Sequence, residues 1–132
     1  MTKKILLVDD EKDQVYVIQK AFEKLFSNEY HIISAYSGKE CISILEKSTP
    51  DIIILDLMMP EMNGWEVFDK IKAHNMWKTV PIIILTARTD GFAEHAAGSI
   101  ADDFIKKPVD VTELKSRIDH LLRKKKRINL QS

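Results

Sequence analysis

Three apolar runs constrain the fold of this chain most strongly, because their residues do not alternate with polar ones. Each run is rich in Ile, Leu and Val and stops at a polar residue: Ile5–Val8, Ile52–Leu55 and Ile82–Leu85. A strand buried on one face alternates apolar and polar side chains, whereas a strand inside a parallel sheet is buried on both faces. Segments of helical period separate the runs. The chain is therefore predicted to fold as β/α units around a parallel sheet.

Five strands and five helices are predicted to alternate along the chain. The strands are predicted over Lys4–Asp9, Tyr30–Ala35, Asp51–Leu55, Pro81–Leu85 and Asp103–Lys106. The helices are predicted over about Asp13–Phe26, the segment between Ser37 and Pro50, about Gly64–Asn75, Thr89–Ala97 and Asp110–Lys125.

Local signals support these helices unevenly. Ser37 with Glu40, and Asp110 with Glu113, have the spacing of a capping box. The first helix is expected to bury one apolar stripe: Val15, Ile18, Phe22, Leu25 and Phe26. The fourth helix has the weakest support, because Gly91 lies inside it and Gly costs about 1 kcal/mol relative to Ala in a helix interior.

The predicted fold class is α/β, with a doubly wound five-stranded parallel sheet and five helices on its two faces. We expect the flavodoxin-like strand order 2-1-3-4-5, in which strands 1 and 3 are neighbours where the winding reverses. The 132 residues are expected to form one domain, residues 1–126, followed by a frayed C-terminal tail, residues 127–132.

Composition argues against several kinds of partner. Twenty Lys and Arg residues balance twenty Asp and Glu residues, so there is no overall attraction to nucleic acid or anionic lipid. No apolar run approaches the roughly 20 residues that span a bilayer, and the start is too weakly apolar for a signal peptide. Cys41 is the single cysteine, which fits a reducing cytoplasm. We expect a cytoplasmic protein that binds neither membrane nor nucleic acid directly, and the basic run Arg123–Arg127 is interpreted as a solvated helix end.

Polar side chains follow four of the predicted strands at their carboxyl ends. Asp9 and Asp10 follow the first strand, Asp56 the third, Thr86 the fourth and Lys107 the fifth. Ligands of open α/β sheets bind outside the carboxyl ends of the strands. Each residue alone is explained as a cap, a strand end or a surface charge, but the joint pattern favours one shared site.

The residue types at this site suit phosphoryl transfer. Three carboxylates in one pocket repel each other, so one should have a raised pKa unless a cation is bound. Mg²⁺ accepts carboxylate and phosphate oxygens together, and Asp56 could then attack phosphorus to form an aspartyl phosphate. The Lys107 ammonium and the Thr86 hydroxyl can bind phosphoryl oxygens, and the small Ala87 leaves room for the group.

The chain resembles the receiver domains of two-component response regulators over roughly residues 3–125. The matching motifs are Leu7–Glu11, Leu55–Gly64, Leu85–Ala87 and Asp102–Pro108. The resemblance implies a protein that receives a phosphoryl group from a histidine kinase or a phosphotransfer protein and then changes its partner-binding surface. It would catalyse only its own phosphorylation and dephosphorylation. The downstream partner stays open, a phosphorylation-dependent homodimer included, and so does the choice between a stand-alone receiver, as in chemotaxis, and one cut from a longer chain.

By this resemblance, Asp56 is the phosphoacceptor and the Asp9–Asp10 pair serves Mg²⁺ together with Asp56. The backbone carbonyl of Met58 would be a further metal ligand. Lys107 would be the lysine that binds the phosphoryl group.

The resemblance also implies residues that respond to the phosphoryl group or control its lifetime. Thr86 and Phe104 would form the conformational switch. Met58 and Arg88, two residues beyond Asp56 and Thr86, would flank the path of the hydrolytic water, and Ala87 would border the phosphoryl group.

Two functions other than that of a phosphorylated receiver are possible for such a fold. An Mg²⁺-dependent phosphohydrolase would resemble Asp-x-Asp at its nucleophile, but Met58 stands at the second position and cannot transfer protons. A receiver that only binds partners would have lost an acid or the lysine, and none is missing. Whether the Lys107–Pro108 bond is cis, which would aim the lysine inward, is left open by the sequence.

Overall fold

A parallel sheet forms the centre of the protein in this computed structural model, which describes residues 2–87 and 101–131. The strands are β1 Lys3–Val8, β2 Tyr30–Ala35, β3 Ile52–Asp56, β4 Ile82–Thr86 and β5 Asp103–Lys106. The helices are α1 Lys12–Phe26, α2 Gly38–Lys47, α3 Gly64–Ala73 and α4 Val111–Gln131. Every predicted strand is present, and no end differs from its prediction by more than one residue.

The strand order in the described residues is β2-β1-β3-β4-β5, and all neighbouring strands are parallel. The predicted order is therefore confirmed. Val8 of β1 lies level with Leu55 of β3, so the next residues, Asp9 and Asp56, lie side by side at the switch point. The sheet register alone thus assembles the beginning of the predicted site.

The core is divided into two layers by the sheet, which explains why the apolar runs do not alternate. Leu6, Val8, Ile53 and Leu55 pack on the face that α2 and α3 cover. The intervening strand residues, such as Leu7, pack on the other face with residues of α1 and α4. Side chains on both faces of each strand are therefore buried and apolar, as a doubly wound sheet requires.

The described residues contain four helices, whereas five were predicted. The missing one, about Thr89–Ala97, falls in residues 88–100, outside the described part of the chain, and stays a prediction. Helix α4 continues to Gln131, whereas the last helix was predicted to end at about Lys125. The division into a domain, residues 1–126, and a C-terminal tail stays a prediction. The run Arg123–Arg127 is rich in Lys and Arg, which are good helix formers, and no Gly or Pro follows it to end the helix.

One predicted core residue of α1 is on the surface. Leu25 is 60% exposed, although Val15, Ile18 and Phe22 are buried as predicted. Leu25 lies at the edge of the apolar stripe, and Phe26 occupies the central position in that turn, where its ring contacts Phe22 edge-on. A residue at the edge of the stripe in the last helical turn remains in solvent.

Three helices begin with a side-chain cap. Ser37 Oγ accepts a hydrogen bond from the Glu40 amide at 3.1 Å, and Asp110 Oδ1 accepts one from the Glu113 amide at 3.1 Å, so both predicted N-caps are confirmed. Asn63 caps α3 in the same way, which was not predicted.

No helix in the described part of the chain is long and apolar enough to cross a membrane.

Gly64 packs the start of α3 directly against the end of β3. Its amide donates a hydrogen bond to the Leu57 carbonyl at 3.0 Å. A Cβ atom at this position would lie 2.4 Å from the Asp56 carbonyl oxygen and 2.5 Å from the Leu57 Cα. Only glycine permits this approach, so the position of the Asp56 backbone depends on it.

We predict that Gly64→Ala lowers the free energy of unfolding by about 3 kcal/mol, the upper end of the range for overpacking, because the colliding atoms are backbone. Gly38→Ala is the matched control. Its Cβ would meet the side chains of Met62 and Val67, each at 2.8 Å, and side chains can shift more easily than backbone. Urea unfolding measures both variants, and equal losses would contradict the prediction.

Candidate functional site

The sheet brings most of the predicted site residues to one edge. Asp9, Asp56 and Thr86 are buried at the carboxyl ends of β1, β3 and β4. Lys107 Nζ lies 2.9 Å from Asp9 Oδ2 and 3.5 Å from Asp56 Oδ2. The structure therefore brings two of the predicted carboxylates and the lysine together, and it places Thr86 at the end of the neighbouring strand β4.

Lys107 points into this site rather than into solvent. Its side chain is only 5% exposed, whereas the preceding Lys106 is exposed. The Lys107 amide donates a hydrogen bond to the Thr86 carbonyl at 2.9 Å. The Lys107–Pro108 peptide bond, which the sequence left open, is cis. Burial opposes the charged ammonium, but the hydrogen bond to Asp9 and the charges of Asp56 and Asp9 outweigh it and raise the pKa of Lys107.

Asp9 is held in place from three directions. Its amide donates to the Ala35 carbonyl of β2 at 3.0 Å. Its Oδ1 accepts from the Glu11 amide at 2.9 Å, and its Oδ2 accepts from Lys107. Both carboxylate oxygens are therefore oriented before any ligand arrives.

Asp56 shows the effect of crowding carboxylates in a buried place. Burial raises its pKa to about 7, and the neighbouring charge of Asp9 acts in the same direction. The amide of Met58, which donates to Asp56 Oδ1 at 3.1 Å, and the Lys107 ammonium lower the pKa only in part. One carboxyl with a raised pKa is the outcome that the sequence predicts for this pocket without a metal.

A group of oxygens that could hold a metal ion lies at the same edge. Within the described residues, one carboxylate oxygen each from Asp9, Glu11 and Asp56 lie within 4.8 Å of one another. An all-oxygen donor set of this kind suits Mg²⁺. A divalent cation would also remove the repulsion that raises the pKa of Asp56, so the residues present fit such an ion.

Glu11 in this group was missed as a site residue by the sequence reasoning. Glu11 is the last residue of the motif Leu7–Glu11, but an exposed acid before a helix is common and does not by itself indicate a functional site. Asp10, which was predicted to serve the metal, is half-buried and is not among these oxygens in the described chain, so its role stays a prediction. Asp10 lies at a bend, and the Glu11 amide donates to Asp9 Oδ1, so Glu11 reaches the site through a turn that residue spacing alone does not predict.

The predicted switch residues occupy neighbouring strands. Phe104 of β5 lies level with Ile84 of β4, two residues before Thr86. Its half-buried ring packs against the core layer of α2 and α3. Ala87 follows Thr86 and is exposed, whereas Arg88 lies outside the described residues.

The loop after β3 forms a groove beside the site. Met58 is 56% exposed, whereas Met59 is buried. Trp65, half-buried, contacts Phe68 edge-on with 5.8 Å between ring centroids. The groove has a volume of about 450 Å³, and its lining includes Met58 and Trp65. Trp65 is therefore placed to sense changes in this loop.

The protein is thus a small α/β protein with a doubly wound sheet. Buried carboxylates and a lysine lie at the point where the winding reverses, and they form an acidic site that suits a divalent cation. The chain belongs to the response regulator receiver domain family, whose model it matches over residues 5–119. The resemblance predicted from the motifs is thus confirmed. Receiver domains of this family are phosphoacceptors of two-component signal transduction and interact with histidine kinases or phosphotransfer proteins.

Individual relatives agree with this assignment. Response regulator SaeR of Staphylococcus aureus (strain USA300) is 39% identical over 128 residues, which are 96% of this chain and 54% of the relative. The chain therefore spans about half the length of the curated relatives it matches.

Solved structures agree as well. The signal receiver domain of a signal transduction histidine kinase from Syntrophus aciditrophicus has a TM-score of 0.81 at 31% identity, covering 92% of this chain and 90% of that chain. The receiver domain of Francisella response regulator 1452 also has a TM-score of 0.81, at 28% identity, covering 92% of this chain and 98% of that chain.

The raised pKa of Asp56 generates a prediction about stability without metal. A carboxyl whose pKa is higher in the folded than in the unfolded state stabilises less as it ionises. The metal-free protein should therefore lose stability as the pH rises from the ordinary value of 3.8 through about 7. Asp56→Asn should remove this part of the pH dependence and be more stable than the parent at pH 8.

Asp69→Asn is the matched control, because it deletes one exposed carboxyl of α3. Unfolding in urea with EDTA present, measured at several pH values, gives the comparison. A difference between Asp56→Asn and the parent that does not change between pH 4 and pH 8 would contradict the prediction.

Proposed function

We propose that this chain is a phosphorylation-controlled switch in which Asp56 receives a phosphoryl group from a phosphohistidine, with Mg²⁺ at the adjacent acidic group. The donor is a histidine kinase or a phosphotransfer protein. The observation that carries the proposal is the buried contact set of Lys107, whose ammonium lies within 3.5 Å of both Asp9 and Asp56. A nucleophile, a metal-binding acid and a phosphate-binding cation are thereby within reach of one incoming group.

Asp56 is the nucleophile of the proposed reaction. Its Oδ1 is bound by the Met58 amide, and its Oδ2 faces Lys107. A carboxylate oxygen of Asp56 forms a bond to phosphorus while the bond from phosphorus to the histidine nitrogen breaks, and the imidazole leaves with that electron pair. Such a transfer depends on positioning and on charge neutralisation more than on further covalent help.

The acidic group would hold the cation. Asp9 and Asp56 have oxygens close enough to share one ion, Glu11 borders them, and family resemblance adds Asp10 and the Met58 carbonyl as ligands. When bound, Mg²⁺ would neutralise the carboxylates and the developing charge on the phosphoryl oxygens. The chain's own contribution is to keep Asp9 oriented through its backbone and side-chain hydrogen bonds.

Lys107, Thr86 and Ala87 would receive the phosphoryl group next to Asp56. The Lys107 ammonium pairs with one phosphoryl oxygen, and the Thr86 hydroxyl donates to another. The methyl side chain of Ala87 leaves space for the group. A phosphoryl group adds about −1.5 to −2 charges, which biases the position of Thr86 strongly.

The output of the switch would pass through β4 and β5. Movement of Thr86 towards the phosphoryl group opens space beside β5, and Phe104 then takes a more buried rotamer. The surface so changed binds a downstream protein or a second phosphorylated copy. No direct binding to nucleic acid or membrane belongs to this proposal, and the protein would work in the cytoplasm.

The first test of the proposal is phosphorylation by a small donor. With acetyl phosphate or phosphoramidate and Mg²⁺, intact mass should show one phosphoryl group, and Asp56→Asn should show none. Excess EDTA should prevent labelling of the parent, because the uncompensated carboxylates repel the anionic donor. Asp69→Asn, an exposed acid on α3, should label like the parent.

The same experiment decides between the proposal and its alternatives. A label that survives in Asp56→Asn, or that forms fully in EDTA, would contradict the assigned site. Steady turnover of a phosphomonoester would favour a phosphohydrolase. A parent protein that never becomes labelled would favour a domain that only binds partners.

We also predict a long-lived phosphorylated state. Met58 has no strong hydrogen-bonding group to orient a hydrolytic water, and its exposed thioether can obstruct the approach to Asp56. Arg88, two residues beyond Thr86, would shield the phosphoryl oxygens with its permanent charge. Dephosphorylation should therefore be severalfold faster in Met58→Asn than in the parent. Arg88→Glu and the double variant complete the comparison, and equal or slower loss of phosphate in all three would refute the idea.

A further inference from the structure

Glu11 contacts the site through its side chain, although about half of that side chain is exposed to solvent. Its Oε1 lies 3.1 Å from Lys107 Nζ, and its Oε2 accepts a hydrogen bond from Gln14 Nε2 at 3.0 Å. The side chain of Glu11 is 53% exposed, whereas that of Lys107 is 5% exposed. Glu11 therefore forms the outer wall around a buried ammonium.

The backbone position of Glu11 is that of a helix cap, but its side chain is used elsewhere. Glu11 is the N-cap of α1 and makes no side-chain capping bond within the described chain. Short side chains such as Asp, Asn, Ser and Thr are preferred there because they reach the free amides of the first turn. The Glu11 amide instead donates to Asp9 Oδ1, so the residue is tied to Asp9 by its backbone and to Lys107 by its carboxylate.

The three carboxylates do not hold the ammonium equally. Lys107 Nζ is 2.9 Å from Asp9, 3.1 Å from Glu11 and 3.5 Å from Asp56. Coulomb attraction weakens with distance, so the two shorter contacts hold the ammonium closer to Asp9 and Glu11 than to Asp56. Without the charge of Glu11, the remaining attraction comes from Asp9 and Asp56, and the ammonium would settle between them.

We infer that Glu11 is a positioning residue that draws Lys107 towards itself, which keeps the Lys107–Asp56 contact long in the unphosphorylated protein and leaves the oxygens of Asp56 more accessible to a divalent cation. The inference rests on the proposed function of the site. Glu11 acts through Lys107, and it need not touch the phosphoryl group. In Glu11→Gln, Lys107 pairs more closely with Asp9 and Asp56 and competes harder with Mg²⁺ for the same oxygens.

The first measurement is Mg²⁺ affinity at constant ionic strength without a phosphodonor. Tryptophan fluorescence can follow it, because Trp65 lines the groove beside Met58. Glu11→Gln should weaken Mg²⁺ binding about tenfold, the low end of the range for outer-shell partners. Asp13→Asn is the matched control, since it removes the same charge from an exposed position one turn into the same helix and should change the affinity less than twofold.

A double-variant cycle with Lys107 separates positioning from direct ligation of the metal. In Lys107→Met no ammonium is left to position, so adding Glu11→Gln should produce a clearly smaller loss of Mg²⁺ affinity than it does in the parent. Equal losses in the two backgrounds would overturn the inference, because they would mean that Glu11 acts on the metal itself. Should Lys107→Met fail to fold, Lys107→Gln takes its place in the cycle.

Phosphorylation at saturating Mg²⁺ supplies the last arm. Most of the loss of phosphorylation rate that Glu11→Gln shows at low Mg²⁺ should then be recovered, since an affinity defect is overcome by excess metal. A large loss of rate under these conditions would overturn the inference in favour of a catalytic role. If the parent itself does not become phosphorylated, the proposed function is wrong. The Mg²⁺ affinities of the double-variant cycle would still measure whether Glu11 acts through Lys107.

Discussion

The parallel pairing of β1 with β3 is the constraint on which the rest of the molecule depends, because it puts Asp9 and Asp56 side by side. Two buried carboxylates side by side are unfavourable: burial, and to a smaller extent the charge of Asp9, raises the pKa of Asp56 to about 7. They stay together because the strands that carry them are apolar on both faces. A slip of β1 by one residue would leave the strand buried but would move Asp9 to another level and face, away from Asp56. Hydrophobic burial therefore maintains an electrostatic arrangement that the charges alone would not form.

The sheet could be predicted almost to the residue, because runs of Ile, Leu and Val on both faces leave few alternatives. Helix ends were predicted less well, since they depend on weak local preferences. Residues 127–131 continue α4 because Arg, Leu and Gln among them favour a helix and no Gly or Pro interrupts it. Leu25 was assigned to the core from its spacing, yet the last turn of α1 needs only Phe26 to close the layer. Periodicity identifies a face, and only packing decides how far along the helix that face is buried.

Site residues at the ends of strands could be predicted from the sequence, whereas those in the connecting turns could not. Asp9, Asp56, Thr86 and Lys107 could be placed from the sequence because each follows a strand whose direction is known. Glu11 could not be placed with the same certainty, since the direction of its side chain depends on how the chain turns from β1 into α1. The cis Lys107–Pro108 bond is likewise invisible to composition and spacing, although Lys107 faces the carboxylates in its presence.

Charge balance connects this geometry with the proposed switching. Three carboxylates and one ammonium leave the described site with a formal charge of −2 (three negative charges and one positive), so a divalent cation would bring it to zero. Lys107 is then no longer needed as the counter-cation of Asp9 and Glu11. In the proposed mechanism the phosphoryl group supplies its next partner, on the Asp56 side. Lys107 directly follows β5, and its amide is hydrogen-bonded to the Thr86 carbonyl. In the proposed mechanism, a shift of Lys107 at the sheet edge would therefore be passed to the strand that carries Phe104.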